Sequence, residues 1–271
     1  MYKLIALDID GTLLNTEKKI TPEVFNSIQE AKKQGTKVVL STGRPLPGVT
    51  PLLQELNLTD DGDYVICFNG AVVQEVKSKK VLCNLEMKFD DFNLIYNEIY
   101  KKHDTFIHIN TPTSLVTPNE TSGEYTKLEA KINQIPIEHI PIEHINDNIK
   151  FCKVMITDNP EKLELIMKNI PDYFYDKYTI VRSAPFFLEF LNKDANKGNA
   201  LKSLCKSIDI PIEKAIAVGD EENDQHMIKY AGLGVAMANA RESIKDIADF
   251  ITTSNNDHGV ANVINKFILN K

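Results

Sequence analysis

The chain of 271 residues carries a formal charge of −7, from 31 Lys and Arg against 38 Asp and Glu, and is 42% hydrophobic and 25% charged. That length holds one to two domains with a sizeable core, and charge spread along it without a basic stripe argues against a dedicated nucleic-acid binder. No apolar run approaches the ~20 residues of a membrane span, and MYKLIALDID lacks the long apolar region of a secretory leader, so a cytoplasmic protein is expected.

The first predicted element is the apolar run Leu4-Ile5-Ala6-Leu7, a buried strand that ends in Asp8 and Asp10 and breaks at Gly11. Burying such charges is costly unless they are paired or coordinated. Thr21-Pro22 reads as an N-cap followed by proline at the first helical position, Val24, Phe25, Ile28 and Ala31 repeat at helical spacing, and Gly35 is a stop. Lys37 to Ser41 is a second strand ending in TGRP, a helix covers Val49 to Leu56, and Tyr64 to Phe68 is a third strand. Alternation of strand and helix implies parallel pairing with right-handed crossovers, so the fold class is α/β.

After Asn69-Gly70 the rhythm changes. Ala71–Glu75 and Lys80–Leu85 form a predicted hairpin. Strands at Thr105–Ile109, Lys150–Thr157, Tyr178–Arg182 and Phe186–Phe190 then alternate with helices near Asp90–Lys102, Glu124–Asn133 and Pro160–Asn169. Several neighbouring strands lack a helix between them, which predicts an α+β segment with a largely antiparallel sheet. The tandem IPIEHIPIEH, Ile135 to His144, is too short for a solenoid and has no zinc-ligand spacing; it reads as a connector or edge strand. From Asn196 the α/β rhythm returns, with strands at Ala215–Val218, Leu233–Met237 and Phe250-Ile251. The expected organisation is a discontinuous core, 1–83 and 190–271, interrupted by an inserted domain, 84–189. Cys67, Cys83, Cys152 and Cys205 form no CxxC pair and read as reduced core thiols.

Ligands of open α/β sheets collect beyond the carboxyl ends of the strands. Four features fall there: Asp8 with Asp10, Thr42-Gly43-Arg44, Lys197, and Gly219-Asp220-Glu221-Glu222-Asn223-Asp224. Each alone has a plain explanation as a turn, a solvated lysine or a helix cap. Together they bring several carboxylates to one sheet edge, where two unit charges ~4 Å apart repel by about 4 kcal/mol at an effective dielectric of 20. A divalent cation with oxygen ligands, of which Mg²⁺ is the fit, relieves that repulsion. A hydroxyl, backbone amides and a lysine opposite it would hold an anion. Such a pairing points to phosphoryl chemistry.

In this order and spacing, DIDGTLL, STGR, NKGNAL and GDEENDQHMI resemble the four motifs of the haloacid dehalogenase superfamily. NGA (Asn69 to Ala71), AGLGVAMANA and SNNDHGVA further resemble its Cof-type phosphatases with a type-IIB cap, closest to bacterial sugar-phosphate phosphatases. The resemblance implies a Rossmannoid core with an inserted cap, and Mg²⁺-dependent hydrolysis of a small phosphorylated metabolite, with no nucleic-acid or membrane partner. It implies that Asp8 is the nucleophile of an aspartyl-phosphate and that Asp10 is the acid and base. Mg²⁺ would be bound by Asp8, the Asp10 carbonyl and Asp220, with Glu221 a further contact and Asp224 ligand or support. Phosphate would be bound by Ile9, Thr42, Gly43 and Lys197, with Asn223 nearby. Arg44 stays open between substrate contact and structural pairing, and Ser41 stands beside Thr42 as a second hydroxyl. In the cap, His108, Asn110, Thr111, Arg182 and Phe187 are polar or aromatic candidates that read first as structural. Two alternatives accompany this reading, a phosphosugar mutase and a sugar-phosphate-binding sensor.

Overall fold

In a computed structural model, which describes all 271 residues, the opening apolar run becomes strand β1 (Leu4–Leu7), buried at every position. The helix Pro22–Lys33 follows, capped by Thr21, whose side chain accepts from the Val24 amide, and it buries Val24, Ile28 and Ala31. Then come β2 (Lys37–Ser41), the helix Leu46–Glu55, β3 (Tyr64–Cys67), β4 (Val72–Glu75) and β5 (Val81–Asn84). These residues belong to a first unit, Met1–Thr42, Pro51–Cys83 and Asn196–Lys271; Gly43–Thr50 packs instead with a second unit, Asn84–Ala195.

The second unit contains β6 (Phe106–Asn110), β7 (Leu115–Thr117), β8 (Ile137–His139), β9 (Lys153–Thr157), β10 (Tyr178–Ala184) and β11 (Phe187–Asn192). They form one six-stranded sheet in the order β10-β11-β9-β6-β7-β8, antiparallel except for the β7–β8 pair. The first copy of the IPIEH repeat is therefore the edge strand β8, and the second is a helical turn at Ile142–His144. Helices Glu124–Asn133 and Pro160–Lys168 lie close to their expected bounds. The three-residue β7 and the helix Asp172–Lys177 carry too few periodic positions to be read from sequence. Phe92, Phe151, Phe174 and Phe190 are fully or almost fully buried in this unit's core.

The first unit is completed by β12 (Ala215–Gly219), β13 (Leu233–Ala236) and β14 (Phe250–Ile251). Its sheet runs β14-β13-β12-β1-β2-β3-β4-β5, parallel from β14 to β3 and antiparallel from β3 to β4. Against it pack Leu201 and Leu204 of the helix Lys197–Ser207 and Met227 of the helix Gln225–Tyr230. Truncating a leucine in such a place costs about 2–5 kcal/mol. The register pairs Leu7 with Val218 on one side and with Leu40 on the other. The carboxyl ends of β12, β1 and β2 thus lie side by side.

Candidate active site

Asp8 follows the last residue of β1, and its amide donates to the Val218 carbonyl of β12 at 3.0 Å. Lys197 opens a helix capped by Asn196, whose side chain accepts from the Asn199 amide at 2.8 Å. Its side chain is fully buried and donates to Asp8 Oδ1 at 2.5 Å and to Asp224 Oδ1 at 2.6 Å. The other Asp224 oxygen accepts from the amides of Asp220 at 2.9 Å and Glu221 at 3.1 Å. Thr12 Oγ1 donates to Asp220 Oδ1 at 2.7 Å. One carboxylate oxygen from each of Asp8, Asp220 and Asp224 lies within 4.8 Å of the other two, and all three residues are buried.

One ammonium against three carboxylates leaves the cluster short of positive charge. Burial raises the Asp8 pKa well above the usual carboxylate range; Lys197 opposes this, and Asp224 and Asp220 reinforce it. Burial likewise pushes Asp220 up to about 7, against the Thr12 hydrogen bond, with Asp224 and Glu221 adding to the rise. Burial works against the Lys197 charge, but Asp224 and Asp8 outweigh it and hold the ammonium above its ordinary value. A divalent cation fits a donor set of this kind: hard oxygens, buried, and too negative for their setting.

Two glycines let these groups approach. Gly11 adopts φ +90°, and a Cβ there would lie 2.2 Å from Asp220 Oδ2. At Gly219, the last residue of β12, a Cβ would lie 2.5 Å from the Asp224 side chain. Either methyl group would occupy the place of a carboxylate.

Thr42 is buried beyond β2; its amide donates to the Ile66 carbonyl and its carbonyl accepts from the Asn69 amide, both at 2.9 Å. Asn69 has left-handed backbone, φ 52° and ψ 32°, and its Oδ1 accepts from Asn223 Nδ2 at 3.0 Å. Ile9 is buried, its carbonyl accepting from the Leu14 amide at 2.9 Å. Ser41 Oγ is enclosed without a hydrogen-bond partner. Gly43 opens the stretch that packs with the second unit, and within it Arg44 Nη1 donates to the Gly48 carbonyl at 3.4 Å.

Two acidic side chains of these loops point away from the buried cluster. The Asp10 carboxylate does not join the buried cluster: it accepts from Lys18 Nζ at 2.9 Å and is 45% exposed. The Glu221 carboxylate likewise lies outside it: it accepts from Arg241 Nε at 2.5 Å and is half exposed. Sequence reasoning gives no role to Thr12, Asn69, Asn239 or Asn255. All four stand in or beside quoted motifs, but what they do depends on partners far along the chain.

The second unit's candidates serve its own interior. His108 Nε2 meets Glu129 Oε2 at 2.6 Å, Asn110 Nδ2 donates to Glu129 Oε1 at 2.8 Å, and Lys153 Nζ lies 3.4 Å from Glu129 and 3.2 Å from Glu189. Burial would raise Glu129, yet Lys153 and His108 lower it to about 2. Thr111 Oγ1 donates to the Ser114 carbonyl at 3.0 Å, Arg182 pairs with Glu164 at 2.6 Å, and Phe187 is buried.

The strand ends of a parallel sheet and the first turn of the helix Lys197–Ser207 thus bring Asp8, Lys197, Asp220 and Asp224 together. A family profile described as haloacid dehalogenase-like hydrolase matches residues 5–264, and the chain belongs to that family. It is 43% identical over 271 residues, with the whole of both chains covered, to the "Putative phosphatase YxeH" of Bacillus subtilis (strain 168). It is 32% identical over 271 residues to the 5-amino-6-(5-phospho-D-ribitylamino)uracil phosphatase YcsE of the same organism, covering 98% of this chain and 96% of that one. Among solved structures, a haloacid dehalogenase-like hydrolase from Bacteroides thetaiotaomicron matches at TM-score 0.87 and 31% identity, over 98% of this chain and 99% of that one. The chain is a phosphatase enzyme of this family, and no helix in it is long and apolar enough to cross a membrane.

Proposed function

We propose that the chain hydrolyses small phosphomonoesters of the sugar-phosphate class through a phosphorylated Asp8, in the cytosol and with Mg²⁺. The observation that carries this reading is the buried cluster of Asp8, Asp220 and Asp224 around Lys197. Both oxygens of Asp224 are engaged by Lys197 and two amides, so Asp224 holds the loop while Asp8 and Asp220, with the Asp10 carbonyl, would hold the cation. Bound there, Mg²⁺ would neutralise the charge of carboxylate and phosphate and stabilise the transferring phosphoryl group.

An Asp8 carboxylate oxygen attacks phosphorus, and the bond from phosphorus to the ester oxygen breaks. Asp10 gives its proton to that leaving oxygen, then takes one from the water that attacks the aspartyl-phosphate, and inorganic phosphate departs. For this the Asp10 side chain swings off Lys18, and the exposed ion pair it leaves is worth at most about 1 kcal/mol. Lys197, Thr42 and the amides of Ile9 and Gly43 cradle the phosphate oxygens, and Asn223 is held nearby by Asn69. The substrate class is supported by the relative named for a phosphate carried on a ribityl chain, itself a sugar-like polyol. The four cysteines form no disulfide and three of them are buried, which supports the cytosolic assignment.

The test is phosphate release from p-nitrophenyl phosphate and from a panel of sugar and polyol phosphates, ranked by kcat/KM. Activity that requires Mg²⁺, is abolished in Asp8→Asn, and is greatest on sugar or polyol phosphates is expected. Turnover surviving Asp8→Asn would sink the mechanism, and a preference for aryl or nucleotide esters would sink the substrate class.

A further inference from the structure

The loops after β13 and β14 both reach back, past β12, to the segment that follows Asp8. Asn239 Nδ2 donates to the Gly11 carbonyl at 2.8 Å, and Asn255 Nδ2 donates to the Leu14 carbonyl at 2.8 Å. The two asparagines are joined, because the Asn255 amide donates to Asn239 Oδ1 at 3.0 Å. The same loop also grips the Asp220 turn, with the Arg241 amide donating to the Asp220 carbonyl at 3.1 Å. Between these anchors stands Thr12, whose hydroxyl donates to Asp220.

We propose that Asn239 and Asn255 are positioning residues that clamp the backbone from Gly11 to Leu14, and through it set the aim of Asp10 and Thr12. Neither is assigned a contact with substrate. The chemistry of the primary amide explains the choice at 239: one planar end donates to a carbonyl while accepting from a neighbouring amide. Aspartate of the same shape keeps the acceptor, loses the donor and sets a charge against the Gly11 carbonyl. Gly11, at φ +90°, also has more backbone freedom to lose than any residue with a Cβ, and the bond from Asn239 helps to fix it. The clamp rests on the reading that Asp8 and Asp10 carry the chemistry. It acts on the loop that bears Asp10 rather than on Thr42 or Lys197, so its loss falls on turnover and not on phosphate binding.

The experiment measures kcat and KM of the Mg²⁺-saturated enzyme on p-nitrophenyl phosphate for Asn239→Asp, Asn239→Ala and Asn255→Asp, with thermal midpoints. Asn256→Ala is the control: Asn256 takes hydrogen bonds from Thr16 further along the same segment at an exposed site. A fall in kcat of roughly ten- to a hundredfold is expected in the 239 variants, with KM within about threefold and Asn256→Ala within about twofold of the parent. Asn239 is exposed, so its variants remain folded and give a reading even where Asn255→Asp does not. Parental kcat in Asn239→Asp overturns the clamp, as does an equal loss in Asn256→Ala or a loss expressed wholly in KM. An inactive Asp8→Asn beside a fully active Asn239→Asp overturns the clamp alone; an active Asp8→Asn removes both the clamp and the reading beneath it.

Discussion

The Lys197 ammonium donates to Asp8 Oδ1 at 2.5 Å across 189 residues of sequence. Both groups are buried, and Asp224 shares the same ammonium at 2.6 Å. Lys197→Met keeps the length of the side chain and removes its charge, leaving two buried carboxylates facing each other. A loss of about 3–5 kcal/mol in denaturant unfolding is expected, together with a fall in phosphatase turnover of roughly a hundredfold or more. A variant as stable as the parent would show that the lysine does not compensate the cluster.

Gly11→Ala tests the close approach to Asp220. The methyl group would stand 2.2 Å from Asp220 Oδ2 in a backbone of φ +90°, so carboxylate and loop must separate. The strain costs about 1–3 kcal/mol, and the Mg²⁺ concentration for half-maximal activity is expected to rise roughly ten- to a hundredfold. Titration of activity with Mg²⁺ reads this directly; an unchanged metal requirement contradicts it.

The pKa of Asp220 gives a signed prediction for the metal-free protein. The folded carboxyl titrates at about 7 instead of the ordinary 3.8, so it keeps its proton after the unfolded chain has lost its own. Stability of the metal-free fold therefore declines as pH rises from 3.8 to about 7 and this contribution levels off above that, a change on the order of 4 kcal/mol. At pH 5.5 a cation must displace a proton; at pH 8 it need not. Melting curves with and without Mg²⁺ are expected to show the larger stabilisation at pH 8, and equal shifts at both pH values would refute the argument.

Glu129 carries the opposite sign. Held at about 2 instead of 4.5, its carboxylate contributes stability that is fully present above the unfolded value and is lost as pH falls toward the folded one. The contribution is about 3 kcal/mol, and the second unit is expected to weaken between those limits. Glu129→Gln lowers stability at neutral pH but flattens the acid dependence, while Lys153 keeps its 3.2 Å partner in Glu189. A pH profile with the same slope in parent and variant would assign the acid sensitivity elsewhere.

The parallel core and the meeting of Asp8, Lys197 and Asp220 are legible in the sequence because each residue ends a short apolar strand or opens a helix, and such ends must lie on one edge of a parallel sheet. Where a side chain points from that edge is a different matter. Asp10 and Glu221 sit in the right loops, yet Lys18 and Arg241 draw their carboxylates outward, and no periodicity records a partner of that kind. Asn239 and Asn255 are hidden for the same reason: their bonds go to backbone carbonyls 228 and 241 residues away, which any residue offers equally. The packing of Gly43–Thr50 with the second unit also has no local signature, since the helix Leu46–Glu55 runs on into the first.

The sheet order places β12 beside β1 although most of the chain lies between them. A ribosome adding roughly 5–20 residues per second needs about 10–40 s to extend the 189 residues from Asp8 to Lys197. Once Lys37–Ser41 has been made, the newborn β1 can take β2 on one flank but still lacks β12 on the other, and Asp8 has no lysine. Non-local pairings form slowly, and here β1, inside the sheet, must wait until Ala215–Gly219 has been made. The buried pairing of Asp8 with Lys197 and Asp224 therefore cannot form on a nascent chain that has not yet passed residue 224.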